Sequence, residues 1–76
     1  MEPKAFVLIE AVVGKSQEVV TAIRKLEGVT SVDAVTGPYD VIAIVQGKSL
    51  NEIGDLVTRK IQPVQGISRT VTCLVI

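Results

Sequence analysis

A short polar turn separates two β-branched runs in the stretch VTSVDAVTGPYDVIAIVQ, residues 29–46. Val, Ile and Thr favour extended backbone, so the stretch predicts two strands, Val29–Thr36 and Asp40–Gln46. Between them, Gly37 tolerates a positive φ and Pro38 fixes φ near the value that a turn requires. The stretch therefore predicts a hairpin whose turn carries an aromatic ring, a carboxylate and free backbone N–H groups.

The sequence before the hairpin predicts one strand and one helix. Apolar residues alternate over Lys4–Val13, which indicates a strand. Apolar residues at helical spacing then run over Gln17–Leu26. Ser16 suits the N-cap of this helix, and Gly28 suits a stop just past its end.

The sequence after the hairpin repeats this pattern. A helix is predicted over Leu50–Gln62, where Ser49 and Glu52 have the spacing of a capping box. Pro63 ends the helix, because the residue before a proline is pushed out of the helical region. The last strand is predicted over Ser68–Ile76.

The order of the predicted elements indicates the fold class. Strand, helix, strand, strand, helix, strand is the order of two split β-α-β units. We therefore predict a ferredoxin-like α+β fold, βαββαβ, with one antiparallel four-stranded sheet and both helices on one face. The chain has 76 residues, which predicts a single domain over residues 1–76.

Both faces of the predicted sheet are apolar. In the first strand, one set of apolar residues alternates with a second set that is also largely apolar: Ala5, Val7, Ile9, Ala11 and Val13 against Phe6, Leu8, Glu10 and Val12. A sheet with helices on one side and water on the other should alternate apolar with polar residues. We therefore expect another copy of the chain to cover the helix-free side, in a homodimer or larger assembly. The alternative is a monomer with an aggregation-prone apolar sheet.

Charge and apolar patterning argue against several function classes. Eight basic and eight acidic residues are interspersed and give zero net charge, so no basic patch for nucleic acid or membrane lipid is predicted. The apolar segment of residues 5–13 is interrupted by Glu10 and is far shorter than the roughly 20 residues of a membrane span. It also lacks the pattern of a signal peptide. With a single cysteine, a reducing cytoplasmic location is the default expectation.

Motifs for nucleotide, metal or thiol chemistry have simpler interpretations. Gly-Lys-Ser at residues 14–16 and 47–49 resembles the end of a phosphate-binding loop, but Ile9 and Ile42 replace the earlier glycine, so both are read as helix starts. Cys73 lies in an apolar strand of a chain without histidine, which favours a thiol packed in the core or at an interface over a nucleophile. We expect no metal site and no cofactor.

Two carboxylates leave alternatives open. Glu10, centred in an apolar strand, could be a tuned general base, a partner of Arg69 across the interface, or the mark of a strand bend, and a structural role is favoured. Asp40 could simply cap the turn. Beside Tyr39 and Gly37 it could instead accept an ammonium group while turn N–H groups take a carboxylate. That second combination suits a free amino acid, and the residues alone do not decide between the two.

A second motif accompanies the turn TGPYDVI of residues 36–42, namely the closing strand ISRTVTCLVI of residues 67–76. Together they resemble the effector-binding domain of the Lrp/AsnC family, the feast/famine regulators, which is also called the RAM module. The resemblance covers essentially the whole chain. Family members carry an N-terminal helix-turn-helix, so we expect a stand-alone RAM module that lacks this DNA-binding part.

The resemblance implies an architecture and a ligand site. It implies a dimeric α+β barrel, with two sheets packed face to face, and dimers that assemble into a larger ring such as an octamer. It also implies that an amino-acid effector binds between dimers near the turn. On this sequence the ligand-binding residues would be Gly37, Pro38, Tyr39 and Asp40, with Thr70 and Thr72 nearby. Without the resemblance, β-propensity alone would account for the two threonines.

The function implied is an amino-acid effector-binding and oligomerisation module linked to transcription regulation, without catalysis and without direct DNA binding. One alternative is a structural co-assembly partner of a full-length Lrp/AsnC regulator. A less favoured alternative is a small cofactor-independent enzyme on the same dimeric barrel. The chain has no histidine or tryptophan, so Glu10 is the only catalytic candidate for that enzyme.

Overall fold

The elements follow the predicted order along the chain. The computed structural model describes residues 2–76. Its elements are β1 (Lys4–Ala11), α1 (Ser16–Arg24), β2 (Val29–Ala34), β3 (Val41–Gln46), α2 (Leu50–Asp55), a π-helical segment (Leu56–Ile61) that continues α2, and β4 (Ile67–Leu74).

The strands form one antiparallel sheet in the order β2-β3-β1-β4. The register pairs Val7 with Ala43 of β3 on one side and with Thr72 of β4 on the other. Helices after β1 and β3 both pack on the same face of this sheet, which confirms the ferredoxin-like α+β fold.

The core lies between the sheet and the helices. Alternate residues of the strands are buried because they point toward the helices. The buried set is Ala5, Val7, Ile9, Val32, Val41, Ala43 and Val45 from the sheet, with Val19, Val20, Ile23, Ile53, Val57 and Ile61 from the helices.

The opposite side of the sheet is apolar and carries no helix. We call this surface the helix-free face and define it by the cross-strand neighbours Phe6, Leu8, Ile42, Ile44, Val71 and Cys73. Phe6 remains 36% exposed, and the side chains around it are half-buried or exposed. The prediction of a second apolar face is confirmed.

The strands are shorter than predicted at several ends. The hairpin strands stop before Thr36 and begin after Asp40, because the Val35 N–H donates to the Asp40 carbonyl at 2.9 Å and closes a loop. Strand β1 stops short of Val13, and β4 stops short of Ile76. Both of these end residues are exposed, since no neighbouring strand extends that far.

The two helices begin differently although each follows Gly-Lys-Ser. The prediction that Ser16 caps α1 is wrong, because Ser16 is already helical and Lys15 occupies the N-cap without a side-chain hydrogen bond. The prediction for Ser49 is confirmed, since its Oγ accepts from the Glu52 N–H at 3.1 Å. Helix α1 also ends at Arg24, before the predicted end. No helix within residues 2–76 is long and apolar enough to cross a bilayer.

The second helix changes its winding halfway. The α-helical part ends at Asp55, and the rest is π-helical, with the Gln62 N–H donating to the Val57 carbonyl at 2.8 Å. The Thr58 hydroxyl donates to the Gly54 carbonyl at 2.9 Å, so a side chain occupies an acceptor within the helix. The predicted helix over Leu50–Gln62 is therefore confirmed to within one residue, but its second half is π-helical and not α-helical.

The wider π turn keeps one apolar stripe on the sheet. Ile53, Val57 and Ile61 are all buried and are spaced four residues apart. In an α-helix, a spacing of four drifts by about 40° around the axis at each step. A π turn takes more residues, which reverses this drift and returns Ile61 to the core side.

Candidate functional site

The hairpin turn projects from one end of the sheet. Gly37 has φ of +137°, a conformation that favours glycine. Gly37 and Pro38 are exposed, whereas Tyr39 and Asp40 are half-buried. The backbone N–H of Asp40 donates to the Ile9 carbonyl at 2.9 Å. The turn is therefore fastened to β1 at one point and open to solvent at its tip.

Asp40 also fastens the turn through its side chain. Its Oδ2 accepts a hydrogen bond from the Ala11 N–H at 2.8 Å. A charged acceptor makes this bond stronger than one between neutral groups. The structural role that the sequence left open for Asp40 is thus present in the molecule. The second oxygen, Oδ1, makes no hydrogen bond to another group of residues 2–76.

A β-bulge lies beside this anchor. The β1–β4 register shifts between Glu10 and Ala11, so Glu10 pairs with Arg69 while Ala11 pairs with Ile67. Ser68 falls out of the pairing, and its Oγ donates to the Glu10 carbonyl at 3.0 Å. Bulges locally disrupt a ladder, and here two side chains bind the backbone beside the bulge.

Glu10 takes the structural role that the sequence favoured. Its Oε2 lies 3.2 Å from Nη1 of Arg69 in an ion pair. Of the alternatives left open for Glu10, the pair with Arg69 is present, but it forms within one chain, on adjacent strands, and not across an interface. Both side chains are more than one third exposed, so the pair adds little stability. A paired, solvated carboxylate also offers little as a general base.

The two threonines of β4 lie at different distances from the turn. Thr70 pairs with Ile9, and Ile9 pairs with Val41, so Thr70 and the turn flank β1 at the same end of the sheet. Two strand spacings separate them, about 10 Å. Thr72 pairs with Val7, nearer the middle of the sheet. Both threonines have the parity of the helix-covered side, and Thr70 Oγ1 accepts from Gln62 Nε2 at 3.2 Å.

In the described part of the chain, the hollows of the surface, two of which lie near the ends of the helices, are not lined by the turn. A polar recess of about 290 Å³ lies beside the start of β4, lined by Gln62 and residues 67–70. An open groove of about 600 Å³ lies between the helices, over the half-buried Leu26 and Leu56. The predicted site residues thus meet the recess only through Thr70. Gly37–Asp40 form a continuous group, whereas Thr72 stands apart from it.

Sequence reasoning missed Ala11 and Ser68. The Ala11 N–H holds the turn, and the Ser68 hydroxyl holds the neighbouring carbonyl. Neither residue carries a local signal for this role, because the bulge that requires them arises from the pairing of distant strands. Within residues 2–76, no group of His, Cys, Asp and Glu side chains is arranged to hold a metal ion.

Relatives and solved structures resemble this chain closely. The family model for the Lrp/AsnC ligand binding domain matches residues 4–76. An uncharacterised HTH-type transcriptional regulator of Pyrococcus furiosus is 37% identical over 56 residues, which is 74% of this chain and 37% of that protein. The match therefore spans little more than a third of that regulator.

Two solved structures have the same fold. TTHA0845 of Thermus thermophilus superposes with a TM-score of 0.92 at 41% identity, covering 100% of this chain and 94% of that one. A feast or famine regulatory protein of M. tuberculosis, complexed with L-methionine, superposes with a TM-score of 0.79 at 25% identity, covering 97% of this chain and 50% of that one. Because the family model covers both the anchored turn and the closing strand, this chain belongs to the Lrp/AsnC family through its ligand-binding domain.

Proposed function

We propose that this chain is a cytoplasmic regulatory module that binds a free amino acid, self-associates and catalyses no reaction. The observation that carries the proposal is the turn Gly37–Asp40, which is fastened to β1 inside a domain of the Lrp/AsnC ligand-binding type. A related protein of this fold has been solved with L-methionine, which supports an amino acid as the effector.

The turn offers groups of both signs to a zwitterion. Backbone N–H groups of a turn form a concave site for an anion such as an α-carboxylate. The Asp40 Oδ1 can accept from an α-ammonium group while Oδ2 stays on Ala11. The ring of Tyr39, which is half-buried, offers an apolar surface to the effector side chain. The backbone N–H groups thus bind the α-carboxylate of the effector, and the Asp40 carboxylate binds its α-ammonium group.

A single chain leaves this site half open. Gly37 and Pro38 are exposed, so an effector on the turn of one chain would keep much of its surface in water. Small-molecule sites usually bury most of the ligand surface. A neighbouring dimer that closes over the turn would complete the site. We therefore place the effector between dimers, in a ring such as an octamer.

The helix-free face supplies the surface for the basic dimer. Its central residues are Phe6, Leu8, Ile42 and Ile44, which form a continuous apolar patch across two adjacent strands. Contiguous apolar patches of this kind mark interaction sites in stable proteins. Two copies packed through this face would give the dimeric α+β barrel.

Two measurements test this proposal together. Isothermal titration against each of the twenty L-amino acids should reveal binding to the assembled protein. Light scattering with and without the amino acid that binds should then show a dimer that forms, or stabilises as, a larger ring. If no amino acid binds, the sensing role is wrong.

Substitutions can test three of the six candidate ligand residues one at a time. Tyr39→Ala should weaken binding most among variants that leave the fold intact, because no backbone bond of the turn depends on the ring. Thr70→Val and Thr72→Val remove hydroxyls at nearly constant volume, and Thr21→Val on the exposed face of α1 is the matched control. A Thr72 variant that binds like the control would remove Thr72 from the site, which its place near the middle of the sheet makes the expected result.

A second candidate function is co-assembly with a full-length regulator of the family. The P. furiosus regulator is 37% identical to this chain over 56 residues, so a paralogue could present an equivalent apolar face. A pull-down between this chain and a helix-turn-helix-bearing paralogue tests the idea. Basic and acidic residues are interspersed in this chain and give zero net charge, so we assign any effect on DNA to that partner.

A further inference from the structure

One peptide unit is held from both sides by side chains. The carbonyl of Glu10 accepts from Ser68 Oγ at 3.0 Å, and the N–H of Ala11 donates to Asp40 Oδ2 at 2.8 Å. These two groups belong to the same peptide bond. Ser68 reaches it from β4, and Asp40 reaches it from the end of the hairpin turn.

Strand pairing is irregular at this peptide, although Glu10 and Ala11 each keep a partner in β4. The β1–β4 register is broken there, and Ser68 is the residue that falls out of the ladder. Just beyond the end of β1, the Val12 N–H donates to the Gly66 carbonyl at 2.7 Å. The two side chains therefore add hydrogen bonds to a peptide that lies at a break in the register of the ladder.

The three groups form a directed chain of hydrogen bonds. The Ser68 hydroxyl donates to a carbonyl, whose amide partner then donates to a carboxylate. Hydrogen bonds in such a chain polarise one another, so a donor on the carbonyl makes the N–H a better donor. Ser68 thus strengthens the bond that fixes Asp40, although it does not touch Asp40.

We propose that Ser68 is a positioning residue for the effector site. Acting through the Glu10–Ala11 peptide, it holds the Asp40 carboxylate with Oδ2 turned to β1 and Oδ1 left for the ammonium group of an amino acid. This inference rests on the proposed function, because it assigns Ser68 a part in the same site.

The test compares three variants of the full chain. Ser68→Ala removes the hydroxyl, and Ser68→Thr restores it on a residue that suits a strand. Ser49→Ala is the matched control, because it removes another hydrogen bond between a serine Oγ and the backbone, at the start of α2. Each variant is titrated with the twenty L-amino acids singly. Hydrogen exchange of the Ala11 amide is measured without ligand, relative to the core amide of Val7.

Loss of one hydrogen bond is worth about fivefold, which is the upper limit for an effect that reaches the ligand through the peptide. Ser68→Ala should weaken amino-acid binding by up to that factor and speed exchange of the Ala11 amide, while Ser68→Thr and Ser49→Ala should match the wild type in both. Unchanged binding in Ser68→Ala overturns the inference, and so does weaker binding with unchanged Ala11 exchange. If the wild type binds no amino acid, the proposed function fails. Unchanged exchange in Ser68→Ala then separately shows that Ser68 does not hold the peptide.

Discussion

The two faces of the sheet are made by the same strands but are covered differently. On the helix side, Val7 and Ile9 are 0% exposed, and the chain itself supplies every contact. On the helix-free face, Phe6 is still 36% exposed. Alternate residues of β1 thus belong to two sets with different roles. One set stabilises the folded chain, and the other set leaves apolar surface uncovered, where we propose that another copy packs.

The largest effect should come from truncating the covered face. Ile9→Ala leaves a cavity in a fully packed core and should cost about 2–5 kcal/mol of unfolding free energy. Leu8→Ala, one residue away on the helix-free face, should cost much less when the protein is dilute. Urea unfolding at two protein concentrations measures both. Equal losses for the two variants at every concentration would contradict the distinction between the faces.

A charge on the helix-free face should act on assembly. Leu8→Lys places an ammonium group in the centre of the apolar patch, where burial against another copy would leave it unpaired. Light scattering should report a folded monomer. Val13→Lys is the matched control, because Val13 is 97% exposed and lies outside both faces. A Leu8→Lys protein that still assembles would exclude this face as the dimer surface.

Removing the carboxylate that anchors the hairpin turn should have an intermediate effect on stability. Asp40→Ala removes the acceptor of the Ala11 N–H and should cost about 1–3 kcal/mol of unfolding free energy. Asp40→Asn keeps an acceptor oxygen and should cost less. Asp55→Ala, which removes only an exposed ion pair with Arg59, should change stability by a few tenths of a kcal/mol. Thermal and urea unfolding compare the three variants.

If Asp40→Ala is no less stable than Asp55→Ala, the hydrogen bond to Ala11 does not hold the turn. In that case Asp40 would be available entirely to a ligand.

The smallest effects on stability should come from the serines at the starts of the two helices. Ser49→Ala removes a side-chain cap and should cost about 0.5–2 kcal/mol of unfolding free energy. Ser16→Ala should cost almost nothing, because Ser16 lies within α1 and caps nothing. Urea unfolding of the two alanine variants, side by side, is sufficient. A larger loss at Ser16 would reverse the assignment of the caps.

Much of the fold could be predicted because its signals are local. Alternation along β1 and β3 and the apolar stripes of the helices are visible within short windows, and they yield the element order and the apolar second face. The change to π winding after Asp55 is not visible in the same way. Apolar residues spaced four apart, such as Ile53 and Val57, suit both kinds of helix over one turn.

The candidate site was less predictable because its bonds are distant in sequence. The Ala11–Asp40 bond joins residues 29 apart, and the Glu10–Ser68 bond joins residues 58 apart. No short window contains both partners of either bond. The turn itself could be found from Gly37 and Pro38, whereas the choice of Asp40 as anchor depended on the bulge. The ligand assignment rests on the family resemblance and stays a prediction.

The π-helical segment gives the chain a place where its length can change. A π turn contains an extra residue compared with an α turn. The hydroxyl of Thr58, in this segment, already donates to the carbonyl of Gly54 at the end of α2. Deleting one residue between Leu56 and Ile61 would allow the segment to close as an ordinary helix while both flanking elements keep their positions. A deletion in β1 or β3 would instead move every later side chain of that strand to the wrong face. Among relatives of this fold, one-residue differences in length should therefore gather in this segment and avoid the central strands.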